Sequence, residues 1–486
     1  MKKQFSILLC LLLLCVPARP VFSQNMEEHD FDNSAFADAE ETNESGGSPP
    51  SGSLVVNGLI GAAETLFTNG LILSYNLVYS NLRGSAGWAT PNAYAIQRNF
   101  TEPWSWERTD GFKVNQIGHP IQGSMYFSAG RVNGFSFYGS TFFSLLGSFT
   151  WEALCESNHA SINDFITTVT GSISVGEMLY RLYLEACAAG VPAPLAAIIN
   201  PMAGFHRLVT GWKPPDYGRK LRQFQTYIGT GFTQTHFSLS GGSQEMFAFN
   251  GFIGDFGFSI IYGDPFVQES RTPFEHFEFA MSVGLDVGNY FDIRLISNGY
   301  LFSFTPVYTD TDMMSTGLSL HVDFVSLGKF DMYDATIDQS GNALDWTIKY
   351  QHLFSENVVF QAKLHAGVTF MGVSDFFAPD GSEVKTLKNY GGGFNSKLFL
   401  ALEHNKLGRL SASLFCYTLW TYPETSDVSQ GSVSWLFADI TYSYPVSKHL
   451  SLGIMDSFAL ERGIFSGFPD TRKYNNMVKL FITWDF

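Results

Sequence analysis

The sequence predicts a β-barrel membrane protein of about twelve antiparallel strands, an even number as antiparallel closure favours, with an N-terminal all-α module packed in or against the barrel. Three observations predict it. From about Arg222 onward, apolar and polar residues alternate with period two over long runs. The chain opens with Met1-Lys2-Lys3 and the apolar run Ile7–Val16, the layout of a secretory signal peptide. It closes on an alternating strand whose last residue is the aromatic Phe486.

Taken in order, 1–23 reads as the signal peptide, with Val21-Phe22-Ser23 as its cleavage site. Cys10 and Cys15 each follow Leu rather than a small residue, which disfavours a lipoprotein. Residues 24–53 hold Glu27, Glu28, Asp30, Asp32, Asp38, Glu40, Glu41 and Glu44, no Lys or Arg, and a Gly-Pro-Ser end. They read as an acidic, self-repelling, disordered linker. The net charge of −16 over 486 residues, with no basic patch, excludes nucleic acid as a partner. The mature chain keeps Cys155, Cys187 and Cys416, an odd number that makes no disulfide framework.

Residues 54–212 read as a helical module. Leu54–Asn81 is apolar with Glu64, Asn69 and Asn76 embedded, and reads as a buried helix. His119-Pro120 suits a helix start with Pro at the first position. Ser140, Ser144, Ser148, Glu152 and Glu156 recur every four residues, one stripe of a helix over Phe137–Glu156. Ser161-Ile-Asn-Asp164 has capping-box spacing. After it, Thr167, Thr170, Ser174, Glu177, Arg181 and Glu185 mark a second stripe. Gly and Ser at this density let helices approach closely. Pro192, Pro194 and Pro201 read as closing the helical block, and Phe205–Tyr217 as a connector.

Residues 213–486 read as the transmembrane barrel. Leu344, Trp346, Ile348 and Tyr350 alternate with Asp345, Thr347, Lys349 and Gln351, and Val358–Phe370 alternates around Gln361, Lys363 and His365. A sandwich would also bury such a face, but a membrane strand needs about 9–11 residues, which these runs supply. The inward set would include His276, Glu278, Arg294, His321, Asp323, Lys349, Lys363, His365, Lys397 and Glu403. About twelve strands enclose a lumen suited to being filled rather than open.

The charged side chains of the helical stripes are the candidate site: His119, Arg131, Glu152, Glu156, Asp164, Glu177 and Arg181. Charges in helices this apolar are paired, solvated or functional. Glu177 and Arg181 have the spacing of a stabilising ion pair. Asp164 reads first as a cap, and Glu152 with Glu156 as carboxylates held by Arg131 or Arg181. Trp104, Trp106 and Trp484 read as interfacial anchors. No cofactor or metal pattern is legible: there is no phosphate-binding glycine loop, Gly-x-Ser-x-Gly, Cys-x-x-Cys or His-Glu-x-x-His.

The module also resembles a bacterial family known only as domain of unknown function 3943. The matching residues run from Trp104-x-Trp106, Asp110-x-Phe112 and Asn115-Gln116-x-Gly118-His119-Pro120 through Arg131-x-Asn133-Gly134 and Gly147-Ser148-x-x-Trp151-Glu152. They continue with Glu156, Ser161-x-Asn163-Asp164, Thr167-Thr168, Gly176-Glu177 and Arg181, so the resemblance covers about Leu54–Cys187. Ser172 stands where a second glycine is expected and Ala160 where a proline is. The resemblance implies no activity or cofactor.

The function expected is a non-enzymatic outer-membrane barrel, its helices a plug or cap, passing a small or lipidic molecule or serving envelope structure. Its partners would be the outer-membrane bilayer and, through the strand ending at Phe486, the barrel assembly machinery. The alternative is an outer-membrane enzyme acting on lipid or another envelope substrate, with His119 as base and Glu152 and Glu156 as the acid or metal site.

Overall fold

The computed structural model describes residues 53–486, apart from 84–88, 107–113, 240–244, 267–268, 287–289, 330–331, 381–382 and 423–429. The signal peptide expected at 1–23 and, but for Ser53, the linker expected at 24–53 lie outside the described residues. Two compact units are present. One is helical, up to Glu107 and from Ile117 to Lys220; the other comprises 108–116 and Leu221–Asp485.

Seven helices are described in the first unit: α1 (Leu54–Arg83), α2 (Ala93–Thr101), α3 (His119–Val132), α4 (Phe137–Leu154), α5 (Ile162–Ala188), α6 (Ala193–Ile199) and α7 (Pro201–Thr210). α3 starts at His119 with Pro at its first turn, as its sequence predicts. Ser161 caps α5 by accepting from the Asp164 amide. The expected connector at Phe205–Tyr217 is instead half helix. Pro194 and Pro201 open α6 and α7 rather than closing the block, since the missing N–H is harmless in a first turn. Asn200 caps α7, and Gly211 ends it at φ 72°, a left-handed conformation glycine adopts without steric cost.

The helical unit has a buried apolar core around Phe127, Trp151, Tyr183 and Leu184, but α1 and α4 bury their polar stripes and expose apolar ones. On α1, Asn57, Glu64, Asn69 and Asn76 are buried while Leu59, Leu66, Phe67, Leu71 and Val78 are exposed. The buried apolar helix expected there is thus reversed: its polar stripe is what packs. Helices meet through small residues. A Cβ on Gly147 would lie 2.4 Å from the Tyr126 ring, and one on Gly123 would lie 2.5 Å from the Thr168 carbonyl oxygen.

The second unit is a closed barrel of twelve antiparallel strands: β1 (Leu221–Leu239), β2 (Glu245–Tyr262), β3 (Phe277–Leu285), β4 (Tyr290–Tyr308), β5 (Asp312–Lys329), β6 (Met332–Ser355), β7 (Val358–Asp380), β8 (Glu383–His404), β9 (Gly408–Thr421), β10 (Gly431–Pro445), β11 (Leu450–Phe465) and β12 (Thr471–Asp485). Each strand pairs with its neighbours in sequence, and β12 returns to β1 in a continuous register from Gln225↔Asp485 to Leu239↔Thr471. Closure leaves no edge. Outward positions such as Ile228, Phe252, Trp346, Phe394, Ile440 and Leu480 are exposed; inward ones such as Lys349, His365, Asn395 and Lys479 are buried. One rim carries Leu221, Asp485 and the short turns between β4 and β5, β6 and β7, β8 and β9, and β10 and β11.

Residues 114–116 belong to the barrel unit. A single π-helical turn, Val114–Gly118, leads into α3. The Ser340 hydroxyl donates to Gln116 at 2.6 Å, and the Asn115 amide reaches the Tyr390 hydroxyl at 3.5 Å. Ser340 faces Phe324 and Val373 in the ladders, and Tyr390 faces Val373, on the outward side of the alternation.

The Gly123→Ala variant should lose about 1–3 kcal/mol of stability, because a backbone carbonyl faces the new methyl and cannot rotate away. Urea unfolding of the full chain in micelles, followed by tryptophan fluorescence, measures this; an unchanged midpoint would contradict the packing described.

Candidate functional site

The helical unit brings the predicted site residues into two groups. On α5, Glu177 is fully buried and joins two cations: Arg181 at 2.8 Å, one turn along, and Arg131 of α3 at 2.9 Å. The arginine guanidinium of Arg131 also lies over the Tyr180 ring at 4.9 Å. The i, i+4 pair read from spacing therefore forms, but Arg131 goes to Glu177 and not to the Glu152–Glu156 pair.

The second group sits at the start of α5. Asp164 to Glu177 spans thirteen positions, about 20 Å at helical rise, so the groups are separate centres. Glu152 accepts the Ser161 backbone amide at 2.8 Å, and Glu156 accepts the Trp151 indole N–H at 2.8 Å. Glu152 thus takes the reciprocal role in the cap that spacing assigns to Asp164. The Asp164 carboxylate instead accepts from Asn163 at 2.8 Å and lies 4.0 Å from His119 Nε2. His119 Nδ1 is 3.1 Å from the Thr168 hydroxyl.

Hydroxyl, imidazole and carboxylate in line are the parts of a nucleophile, base and orienting acid. Here the Asp164–His119 distance exceeds a hydrogen bond, and Thr168 is 1% exposed. The geometry is that of a buried polar core at a helix junction. Among the described residues, no three His, Cys, Asp or Glu side chains gather as metal ligands do.

Sequence reading missed a third polar contact. Glu64 of α1 pairs with His206 of α7 at 2.7 Å and accepts from Asn133 at 2.7 Å. Asn69 accepts from the Tyr126 hydroxyl and donates to the Gly147 carbonyl at 3.0 Å. The only signal was an isolated Glu and Asn in an apolar helix. Trp104, expected as an interfacial anchor, is half-buried: it stacks on the exposed Phe149 at 5.8 Å and donates to the Asn99 carbonyl at 3.0 Å. Trp484 is exposed on the outer barrel face.

The barrel lumen is the other polar interior, and its charges are paired across strands. Glu278 of β3 accepts from Lys349 of β6 at 2.9 Å and Lys363 of β7 at 2.7 Å. Lys349 also meets His276 at 2.6 Å. Lys397 of β8 reaches Asp323 of β5, and His321 at 2.9 Å. Arg294 of β4 grips Asp292 through two bonds of 3.0 Å and lies 3.7 Å from Asp439 of β10, the strand diametrically opposite. Gln339 of β6 donates to Glu461 of β11, a second crossing.

Beside these crossings, Tyr417 and Trp435 stack at 4.1 Å amid buried Val325, Leu327, Val433 and Phe437. On the other side, toward the short-turn rim, the lumen holds a cavity of about 460 Å³. Its walls include Gln225, Glu278, Lys363, Phe399, Glu403 and Arg409. It shares Glu278, Lys363 and Phe399 with a deeper cavity of about 310 Å³ that reaches His321, Lys397 and Asp439. Lys363 and Arg409 lie 5.2 and 5.7 Å from the Phe399 ring. The inward residues predicted from alternation are the ones that build this lumen.

Comparison with known proteins adds the following. Residues 103–202 match the family described as Domain of unknown function (DUF3943), the one the helical residues resemble. No curated protein matches the chain. Among solved structures, the Pseudomonas putida toluene transporter TodX is 9% identical, with TM-score 0.23, over 54% of this chain and 89% of that one. The NanC porin is 7% identical, with TM-score 0.23, over 52% of this chain and 98% of that one. The Escherichia coli outer membrane protease OmpT is 10% identical, with TM-score 0.24, over 56% of this chain and 99% of that one.

Removing Glu177 would leave the buried Arg181 and the part-buried Arg131 without their shared carboxylate. The Glu177→Ala variant should therefore lose about 3–5 kcal/mol, and Arg181→Ala less, since Arg131 still neutralises Glu177. Chemical-denaturation midpoints of the two variants give the order; a larger loss in Arg181→Ala would refute the shared pairing.

Proposed function

We propose that the protein is a non-enzymatic outer-membrane barrel that admits a small polar or lipidic molecule into its lumen and passes it under the control of side chains that bridge the lumen. The observation that carries this reading is the layout of the lumen: a cavity open toward one rim, closed beyond it by the Arg294–Asp439 and Gln339–Glu461 crossings. The cavity opens at the rim that carries Leu221 and Asp485, the two ends of the barrel. Its walls set Lys363 and Arg409 against Glu278, Glu403 and Asp485, charges of both signs that suit a polar or zwitterionic solute.

Export by the signal peptide, and insertion by the barrel assembly machinery through the strand ending at Phe486, belong to the same proposal. The plug or cap read from sequence is its second form. Against that form, Glu177, Glu152, Glu156 and Glu64 find partners within the helical unit. The enzymatic alternative draws support only from the His119–Thr168 contact.

The experiment is single-channel recording of the full chain in planar bilayers. Wild type should stay closed most of the time, and Arg294→Ala should raise conductance several-fold by removing one crossing. If Arg294→Ala stays silent and deletion of 54–212 conducts, the plug form holds. Silence of both, with the barrel folded by heat-modifiability, refutes passage.

A further inference from the structure

The helical unit carries its polarity the wrong way round for water. From Leu54 to Leu82 of α1, the exposed positions include no charged residue. Of the polar side chains exposed there, Ser74 satisfies its hydroxyl on the Gly70 carbonyl at 2.7 Å and needs no water partner. On α4, Tyr138, Phe142, Leu145 and Phe149 form an exposed stripe at steps of four, three and four. The opposite stripe, Ser140, Ser144, Ser148 and Glu152, is buried. A water-soluble bundle sorts its residues the opposite way.

Length and pairing agree with that sorting. α1 has 30 residues, about 45 Å of helix against about 30 Å of bilayer hydrocarbon. Its apolar span Leu54–Leu82 is only one-third buried, so it is not the core helix of a soluble bundle. The polar groups inside are partnered locally, Glu64 with His206 and Asn133 and Glu177 with two arginines, as polar groups in hydrocarbon must be.

We infer that the outer face of the helical unit contacts lipid acyl chains, with α1 crossing the hydrocarbon of the membrane that holds the barrel. This goes beyond a barrel with a soluble plug or cap, and it rests on the reading that the barrel sits in a bilayer.

The test uses the full chain in vesicles of phosphatidylcholine and phosphatidylglycerol. Nitroxide labels are attached to Leu66→Cys and Phe142→Cys, in a background lacking Cys10, Cys15, Cys187 and Cys416; Cys155 is buried and stays unlabelled. Collision with oxygen, which concentrates in hydrocarbon, is compared with collision with an aqueous nickel chelate. Leu480→Cys on the outer barrel face and Asn405→Cys in a turn set the lipid and water limits. The oxygen-to-nickel ratio at both helix sites should match Leu480→Cys and exceed Asn405→Cys several-fold. A ratio matching Asn405→Cys overturns the inference alone. Low collision with both reagents overturns it too, and identifies a protein surface, such as a second copy, as the occupant. A water-like ratio at Leu480→Cys itself would instead overturn the bilayer reading of the barrel.

Discussion

The ladder between β1 and β12 is the interaction everything else depends on. It joins the first strand to the last over the register Gln225↔Asp485 to Leu239↔Thr471, and it converts a sheet with two open edges into a ring. Only a ring satisfies every backbone donor and acceptor without water, which is what allows Phe252, Leu480 and Ile440 to face outward together. It also creates an interior. Glu278, Lys349 and Lys363 come from strands three and four places apart, and they can meet only because the sheet curves back on itself.

The same rule of polar groups inward and apolar groups outward runs through both units by different means. In the barrel, the two-residue period of a strand sends alternate side chains to opposite faces. In the helices, steps of three and four gather Ser140, Ser144, Ser148 and Glu152 on one side and Phe142 and Phe149 on the other. Glycine at the contacts, as at Gly123 and Gly147, brings the polar sides close enough to bond. Ion pairs and hydrogen bonds add to a buried apolar core that includes Phe127, Trp151, Tyr183 and Leu184.

Local periods made much of this legible in the sequence. The alternation of Leu344, Trp346 and Ile348 with Asp345, Thr347 and Lys349 states the face of each residue, and the coordinates place them accordingly. The Glu177–Arg181 pair lies one turn apart and was equally plain. Contacts between distant residues were not. Arg131 and Glu177 are separated by 46 positions, Glu64 and His206 by 142. No periodicity reports such partners, and an apolar helix with one embedded Glu reads the same whether its polar or its apolar side is buried. The prolines misled for a related reason: Pro194 and Pro201 obey the same steric rule at a helix start as at a helix end, and only the caps, such as Asn200, tell the two apart.

The π-helical turn before α3 has a consequence for the order of assembly. Its Gln116 and Asn115 bond to Ser340 and Tyr390, residues 224 and 275 positions later in the chain. During synthesis the turn emerges long before its partners exist. Such far-reaching contacts form slowly, because a long loop must close before they contribute. The turn must therefore wait for β6 and β8, and the segment that introduces α3 is secured only late, by strands that follow all seven helices in the chain.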